Sequence, residues 1–137
     1  MVEELLVNDV KTSKIVYLGK DKTVYDAACL MKKHNISSII VLDKNVLSGI
    51  VTERDIVQKV VCGGLDPRQT TLGGIMNSPV KTIDSGKTIV DAARLMRDLE
   101  IKKLIVTEEK KVVGIISERD ILEMDPALHG TPPDSKG

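Results

Sequence analysis

Thr52, Arg54 and Asp55 recur 65 residues later as Ser117, Arg119 and Asp120, and a glycine stands three positions before each hydroxyl, at Gly49 and Gly114. These residue types suit a phosphate attached to a sugar. A hydroxyl that opens a helix sits among backbone N–H groups with no partner inside the helix. The helix dipole adds positive potential there, so a phosphate is a natural guest. A carboxylate three residues on offers two acceptor oxygens to the paired hydroxyls of a ribose. The guanidinium of Arg54 or Arg119 presents a planar fork of donors that matches phosphate oxygens two at a time. The same Thr/Ser-x-x-Asp spacing also makes a capping box, in which hydroxyl and carboxylate serve only the chain's own N–H groups. On spacing alone the cap is the commoner use. Glu53 and Glu118 would then favour the helix dipole, with the arginines solvated or salt-bridged.

The elements that must position these groups are duplicated too. Asp21–Ile56 and Gly86–Ile121 align without a gap and agree at 16 of 36 positions. Shared residues include Lys-Thr at 22–23 and 87–88, Asp-Ala-Ala at 26–28 and 91–93, and the tetrapeptide Glu-Arg-Asp-Ile at 53–56 and 118–121. A repeat of this period marks one supersecondary unit that needs its copy to bury an apolar face. In the first copy, Ile15–Tyr17 is a short extended segment. Val24, Ala27, Ala28, Leu30 and Met31 then trace one face of a helix running to about His34, with Thr23 as N-cap and Cys29 on the buried face. Ile36 and Ile39–Leu42 form a strand, Asp43–Asn45 a turn, Leu47–Val51 a second strand ending near Gly49, and Thr52 to about Val61 a second helix. The second copy repeats this order as Val80–Ile83, Thr88–Leu99, Ile101–Thr107, a turn at Glu108–Lys111, Val112–Ile116 and Ser117–Met124. Residues 1–64 thus hold the first repeat and its lead-in, 65–124 the linker and second repeat, and 125–137 a tail expected to be mobile. Leu72 and Ile75 precede the second copy at the offset at which Val7 and Val10 precede the first.

Length and composition limit the possible functions. The 137 residues fit one domain, and half-units of this size would be marginal alone, so one shared core is expected. The chain is 42% hydrophobic with no Phe or Trp, an aliphatic composition suited to buried strands. Twenty basic and twenty acidic residues cancel. A neutral chain lacks the basic footprint of a nucleic-acid or anionic-membrane binder, and it also lacks aromatic stacking platforms. No stretch reaches transmembrane length, the start is acidic, and Cys29 and Cys62 show no metal or redox spacing; elimination leaves the cytoplasm. His34 falls near a helix C-terminus and His129 in the Pro-rich tail. Neither joins a nucleophile, a base or a metal constellation, so no enzyme is expected.

With two Gly-Ile-Val/Ile-Thr/Ser-Glu-Arg-Asp-Ile octets, each closing a β-α-β-β-α unit with Asp-Ala-Ala-x-Leu-Met in its first helix, the chain resembles a CBS-domain pair. This tandem module is named for cystathionine β-synthase, and the likeness covers about Val7 to Met124. It implies an α/β (α+β) fold of two repeats related by pseudo-twofold symmetry, with small mixed sheets packed on helices. It also implies adenosine ligands (AMP, ADP, ATP, NAD or S-adenosylmethionine) held in clefts between the repeats, a flat homodimer, and regulation of an effector protein. The family's usual phosphate and ribose contacts fall here on Thr52, Asp55, Ser117 and Asp120, with Arg54 and Arg119 beside them. By position, Lys11–Val16 and Ile36–Ser38 would complete the second motif, and Met76–Lys81 and Ile101–Lys103 the first. Val16, Ile36 and Ile101 would offer an apolar wall, and Ser38, Lys81 and Lys103 polar contacts. Lys102-Lys103 stands where the first copy has Ser37-Ser38, so the two sites should differ in phosphate preference. The alternative reading is a dimerising interaction scaffold with empty or degenerate clefts.

Overall fold

The computed structural model describes residues 5–124; the expected tail at 125–137, His129 and the acidic start lie outside the described residues. In chain order the elements are α1 (Val7–Val10), β1 (Tyr17–Gly19), α2 (Val24–His34), β2 (Ser38–Asp43), β3 (Val46–Thr52) and α3 (Glu53–Asp55). The last runs on as a π-helical segment, Ile56–Val61. Then follow α4 (Leu72–Ile75), β4 (Thr82–Asp84), α5 (Ile89–Leu99), β5 (Lys103–Glu108), β6 (Lys111–Ser117) and α6 (Glu118–Met124). The β-α-β-β-α order is that of the repeat, with β1 and β4 starting two residues later than the apolar runs suggest. The fold is mixed α+β with two small three-stranded sheets.

In each sheet the first strand runs parallel to the second, and the second pairs antiparallel with the third. The register sets Ser38 opposite Thr52 and Lys103 opposite Ser117. Both hairpins turn through two residues with positive φ: Lys44 and Asn45 at 52° and 66°, Glu109 and Lys110 at 52° and 70°. This turn geometry matches the strand twist but suits Asn and Gly better than the residues mostly found here.

Local chemistry sets the helix ends. Thr23 accepts the Asp26 N–H at 3.1 Å, and Thr88 accepts that of Asp91 at 3.1 Å. Asp91 completes a capping box by accepting the Thr88 N–H at 3.2 Å. That backbone bond and then the Thr88 hydroxyl hold the Asp91 carboxyl below the ordinary carboxylate range; burial opposes them, and the charges of Lys87 and Arg94 add lesser lowering effects. Helix α2 closes on Asn35 (φ 54°) and α5 on Glu100 (φ 57°), both left-handed. Asn tolerates that conformation and Glu does so poorly. Cys29, expected on the buried face, is exposed. The buried stripe of α2 is Val24, Ala27 and Met31, and Cys29 projects from between its rows.

Instead of one shared core there are two. Residues 5–13 and 81–124 form one compact unit, and Lys14–Val80 the other. The first buries Val7, Ile89, Met96, Leu104, Val106, Ile116 and Ile121 among its core residues; the second buries Val24, Met31, Ile39, Val41, Val51, Leu72 and Ile75. The lead-ins explain how each half manages. α1 packs on the second copy and α4 on the first, so each sheet-and-helix layer gains apolar residues that its own repeat lacks. Backbone bridges fix these docking strands: Thr12 pairs with Ile115 and Asn77 with Ile50.

That close approach accounts for the two glycines. Gly49 and Gly114 lie in mid-strand, not at strand ends as expected from sequence. A Cβ on Gly114 would meet the Thr12 carbonyl oxygen and the Lys11 side chain. On Gly49 it would meet Met76 Sδ at 2.5 Å and the Asn77 carbonyl oxygen at 3.0 Å. Each glycine makes room for the lead-in backbone laid across it.

Candidate functional site

The two Thr/Ser-x-x-Asp motifs sit where a strand ends and a helix begins. Both form caps. Thr52 accepts the Asp55 N–H at 3.2 Å, and Asp55 accepts the Thr52 N–H at 2.8 Å. In the second copy Ser117 accepts the Asp120 N–H at 3.1 Å, and Asp120 accepts that of Ser117 at 2.9 Å. Strand and helix are joined further by Glu53 N–H to the Ser37 carbonyl at 3.0 Å and Glu118 N–H to the Lys102 carbonyl at 2.8 Å. Capping and ligand binding compete for the same atoms, so the carboxylates' remaining acceptor capacity decides what each motif can do.

In this respect the copies differ. Besides the Thr52 N–H, Asp55 Oδ2 accepts the Thr52 hydroxyl at 2.9 Å and the Asn77 side-chain amide at 2.8 Å. Its Oδ1 lies 3.4 Å from Lys59 Nζ. That ammonium also donates to the Ile75 carbonyl at 2.8 Å and to Asn77 Oδ1 at 3.3 Å, so its three protons have three acceptors. Asp55 is buried by this cluster, whereas Asp120 is half-buried. The positions equivalent to Asn77 and Lys59 are Thr12 and Met124. Neither an amide nor an ammonium therefore stands at those places beside Asp120. Sequence reasoning passed over Lys59 and Asn77. The available signal was their lack of counterparts in the other copy.

The remaining expected site residues divide by unit. Val16, Ile36 and Ser38 lie in the unit of Thr52, Arg54 and Asp55; Lys81, Ile101 and Lys103 lie in that of Ser117, Arg119 and Asp120. Strand pairing draws Ser38 to Thr52 and Lys103 to Ser117. Val16 and Lys81 stand just before the first strands, their carbonyls accepting the N–H of Ile40 and Ile105 at 3.0 Å. The end of the sheet therefore carries Lys81, Lys102 and Lys103 in one unit and Val16, Ser37 and Ser38 in the other. Val16, Ile36 and Ile101 are half-buried and lean on their own cores. Arg54 is exposed, and Arg119 pairs with Glu123 at 3.3 Å on the surface.

A separate groove of about 330 Å³ runs between α5 and α6, lined by Met96, Arg97, Ile101, Lys102, Glu118 and Leu122 among others. Of the expected site residues Ile101 and Lys102 border it. Among the described residues no cluster of three or more His, Cys, Asp or Glu is placed to hold a metal ion, and no helix is long and apolar enough to cross a membrane.

Comparison with known proteins places this geometry. The CBS domain profile matches twice, over residues 7–61 and 72–126. An uncharacterised protein of Methanopyrus kandleri is 34% identical over 91% of this chain, which spans 65% of that protein's length. The CBS domain-containing protein YhcV of Bacillus subtilis is 30% identical over 84% of this chain and 81% of its own. Among solved structures, an uncharacterised conserved protein from Pyrococcus horikoshii superposes with a TM-score of 0.81 at 26% identity, covering 90% of this chain and 93% of that one. With two profile matches that span both repeats, the chain belongs to the CBS-domain family, as a tandem pair.

Proposed function

We propose that this CBS-domain pair is a regulatory module that binds an adenosine-containing ligand and passes the binding event to a separate effector protein. CBS-domain pairs are in general regulatory, nucleotide-sensing modules. The observation that carries the reading to this chain is the twice-built turn from strand to helix, which sets a hydroxyl and a carboxylate within one helical turn of each other. Thr52 and Ser117 are assigned to phosphate, Asp55 and Asp120 to ribose hydroxyls, and the arginines and strand-end lysines to the outer phosphates. The half-buried aliphatic residues Val16, Ile36 and Ile101 are assigned to the base. The ligand works by preferring one conformation or assembly of the protein over another, and the effector reads that shift. Titration calorimetry with AMP, ADP, ATP, NAD and S-adenosylmethionine tests the reading: saturable binding of at least one supports it, and none across the five ends it.

A second reading, a dimerising scaffold, draws on the groove between α5 and α6 and on the exposed Leu99 of α5 and Met124 of α6. The hexameric CBS-CP12 protein of bloom-forming cyanobacteria, 33% identical with a TM-score of 0.82, is a relative that self-assembles. Under this reading the protein is a stable oligomer whose melting temperature does not move on adding nucleotide, whereas ligand linkage would raise it.

A further inference from the structure

We infer that the two motifs have diverged into one closed and one open, and that Lys59 and Asn77 are the residues that close the first. The inference rests on the proposed nucleotide binding and narrows it to the motif of Ser117 and Asp120.

Acceptor capacity carries the inference. A ribose presents two hydroxyl donors, and a carboxylate has about four lone-pair positions to receive donors. Asp55 Oδ2 already accepts three, from the Thr52 N–H, the Thr52 hydroxyl and the Asn77 amide. Oδ1 faces the Lys59 ammonium. To reach Asp55, a ribose would have to displace Asn77 and Lys59 together. Those two hold each other, and Lys59 is held by the Ile75 carbonyl as well. Displacement would turn the amide and the ammonium to water and take a positive charge away from a buried carboxylate, which two neutral ribose hydroxyls do not replace. The Thr52 hydroxyl is committed in the same way, donating to Asp55 and accepting from its N–H.

At Asp120 the closing pair is missing. Met124 stands in place of Lys59 and Thr12 in place of Asn77. A thioether donates no hydrogen bond, and the carboxylate is less buried than its counterpart. Charge points the same way: Lys81, Lys102 and Lys103, expected from sequence to complete the first motif, stand at the end of the second motif's own sheet, where the register sets Lys103 opposite Ser117 and where the other sheet has Val16, Ser37 and Ser38. Both the ribose acceptor and the positive field for phosphate therefore favour the second motif.

Exchanging the closing residues between copies tests the inference without touching either Thr/Ser-x-x-Asp set. AMP, ADP and ATP are titrated into the parent, into Lys59→Met/Asn77→Thr, and into the reciprocal Thr12→Asn/Met124→Lys, with circular dichroism confirming that each variant is folded. The parent should bind one nucleotide per chain and the first double variant two. The reciprocal variant should lose at least tenfold in affinity. Should the opened variant fail to fold, the reciprocal variant decides alone. Two equivalent sites in the parent, or undiminished binding by Thr12→Asn/Met124→Lys, overturn the inference while leaving the proposed function standing. A parent that binds none of the three overturns this inference, and NAD and S-adenosylmethionine then decide the proposed function itself.

Discussion

Replacing Asp55 by alanine should cost far more stability than replacing Asp120, although the two occupy matching places in identical tetrapeptides. Both substitutions remove the carboxylate half of a helix cap, worth about 1 kcal/mol. At Asp120 the loss stops near that figure. At Asp55 the Asn77 amide loses a charge-assisted bond to a side chain that is only 11% exposed. Such bonds contribute about 1.5–3 kcal/mol, and since Asn77 is exposed and can turn to water the lower end applies. The Lys59 ion pair adds at most ~1 kcal/mol, because the lysine side chain is 41% exposed and its charge is screened. Asp55→Ala should therefore lose about 3 kcal/mol against about 1 kcal/mol for Asp120→Ala. Urea unfolding of parent and variants, followed by circular dichroism, reads the difference directly. Equal losses, within roughly 0.5 kcal/mol as for uncoupled sites, would show that the Asp55 cluster does not hold as drawn and would remove the physical basis for a closed first motif.

Three other substitutions probe separate features. Glu100→Gly should stabilise the chain by about 1 kcal/mol, because Glu100 is left-handed and its charge sits at the negative end of α5; thermal melting should show a higher midpoint, and an unchanged or lower one refutes the strain. Gly114→Ala should destabilise by roughly 1–3 kcal/mol, since its Cβ meets the Thr12 backbone. Gly49→Ala should cost less, because its nearest neighbour is the flexible end of Met76; the opposite order in urea titrations would contradict the docking geometry. Asp91 has a lowered carboxyl pKa in the folded chain, so its contribution is complete above the unfolded-state value and disappears as pH falls through the folded one. Asp91→Asn should thus be less stable than the parent at neutral pH, with the gap shrinking below the ordinary carboxylate range. A gap constant with pH would refute the assignment.

Much of the fold was legible because its determinants are local. Thr23 and Thr88 announce helix starts by their own side chains, the apolar spacing of Val24, Ala27 and Met31 marks a buried face, and the repeat confirms each element twice. What stayed hidden depends on contacts between distant segments. Asn77 reaches Asp55 across 22 residues because the Met76–Asn77 lead-in lies over Gly49, and nothing near either residue in sequence signals that meeting. The same packing turned an expected single core into two, with α1 and α4 each completing a layer remote in sequence. Cys29 was misplaced because a small sulfur-bearing side chain beside an apolar stripe resembles a member of it. The candidate motifs were visible at once, but their inequality was not, since Lys59 and Met124 lie outside the octet that draws the eye.

The most direct measurement is calorimetric titration of the unmodified protein, and of Asp120→Ala, with the five adenosine compounds. We expect saturable binding of at least one of them, at one ligand per chain, and loss of that binding in Asp120→Ala while the variant remains folded. Absence of saturable binding by all five would contradict the nucleotide-sensing function. Binding that survives in folded Asp120→Ala would contradict its placement at the second motif.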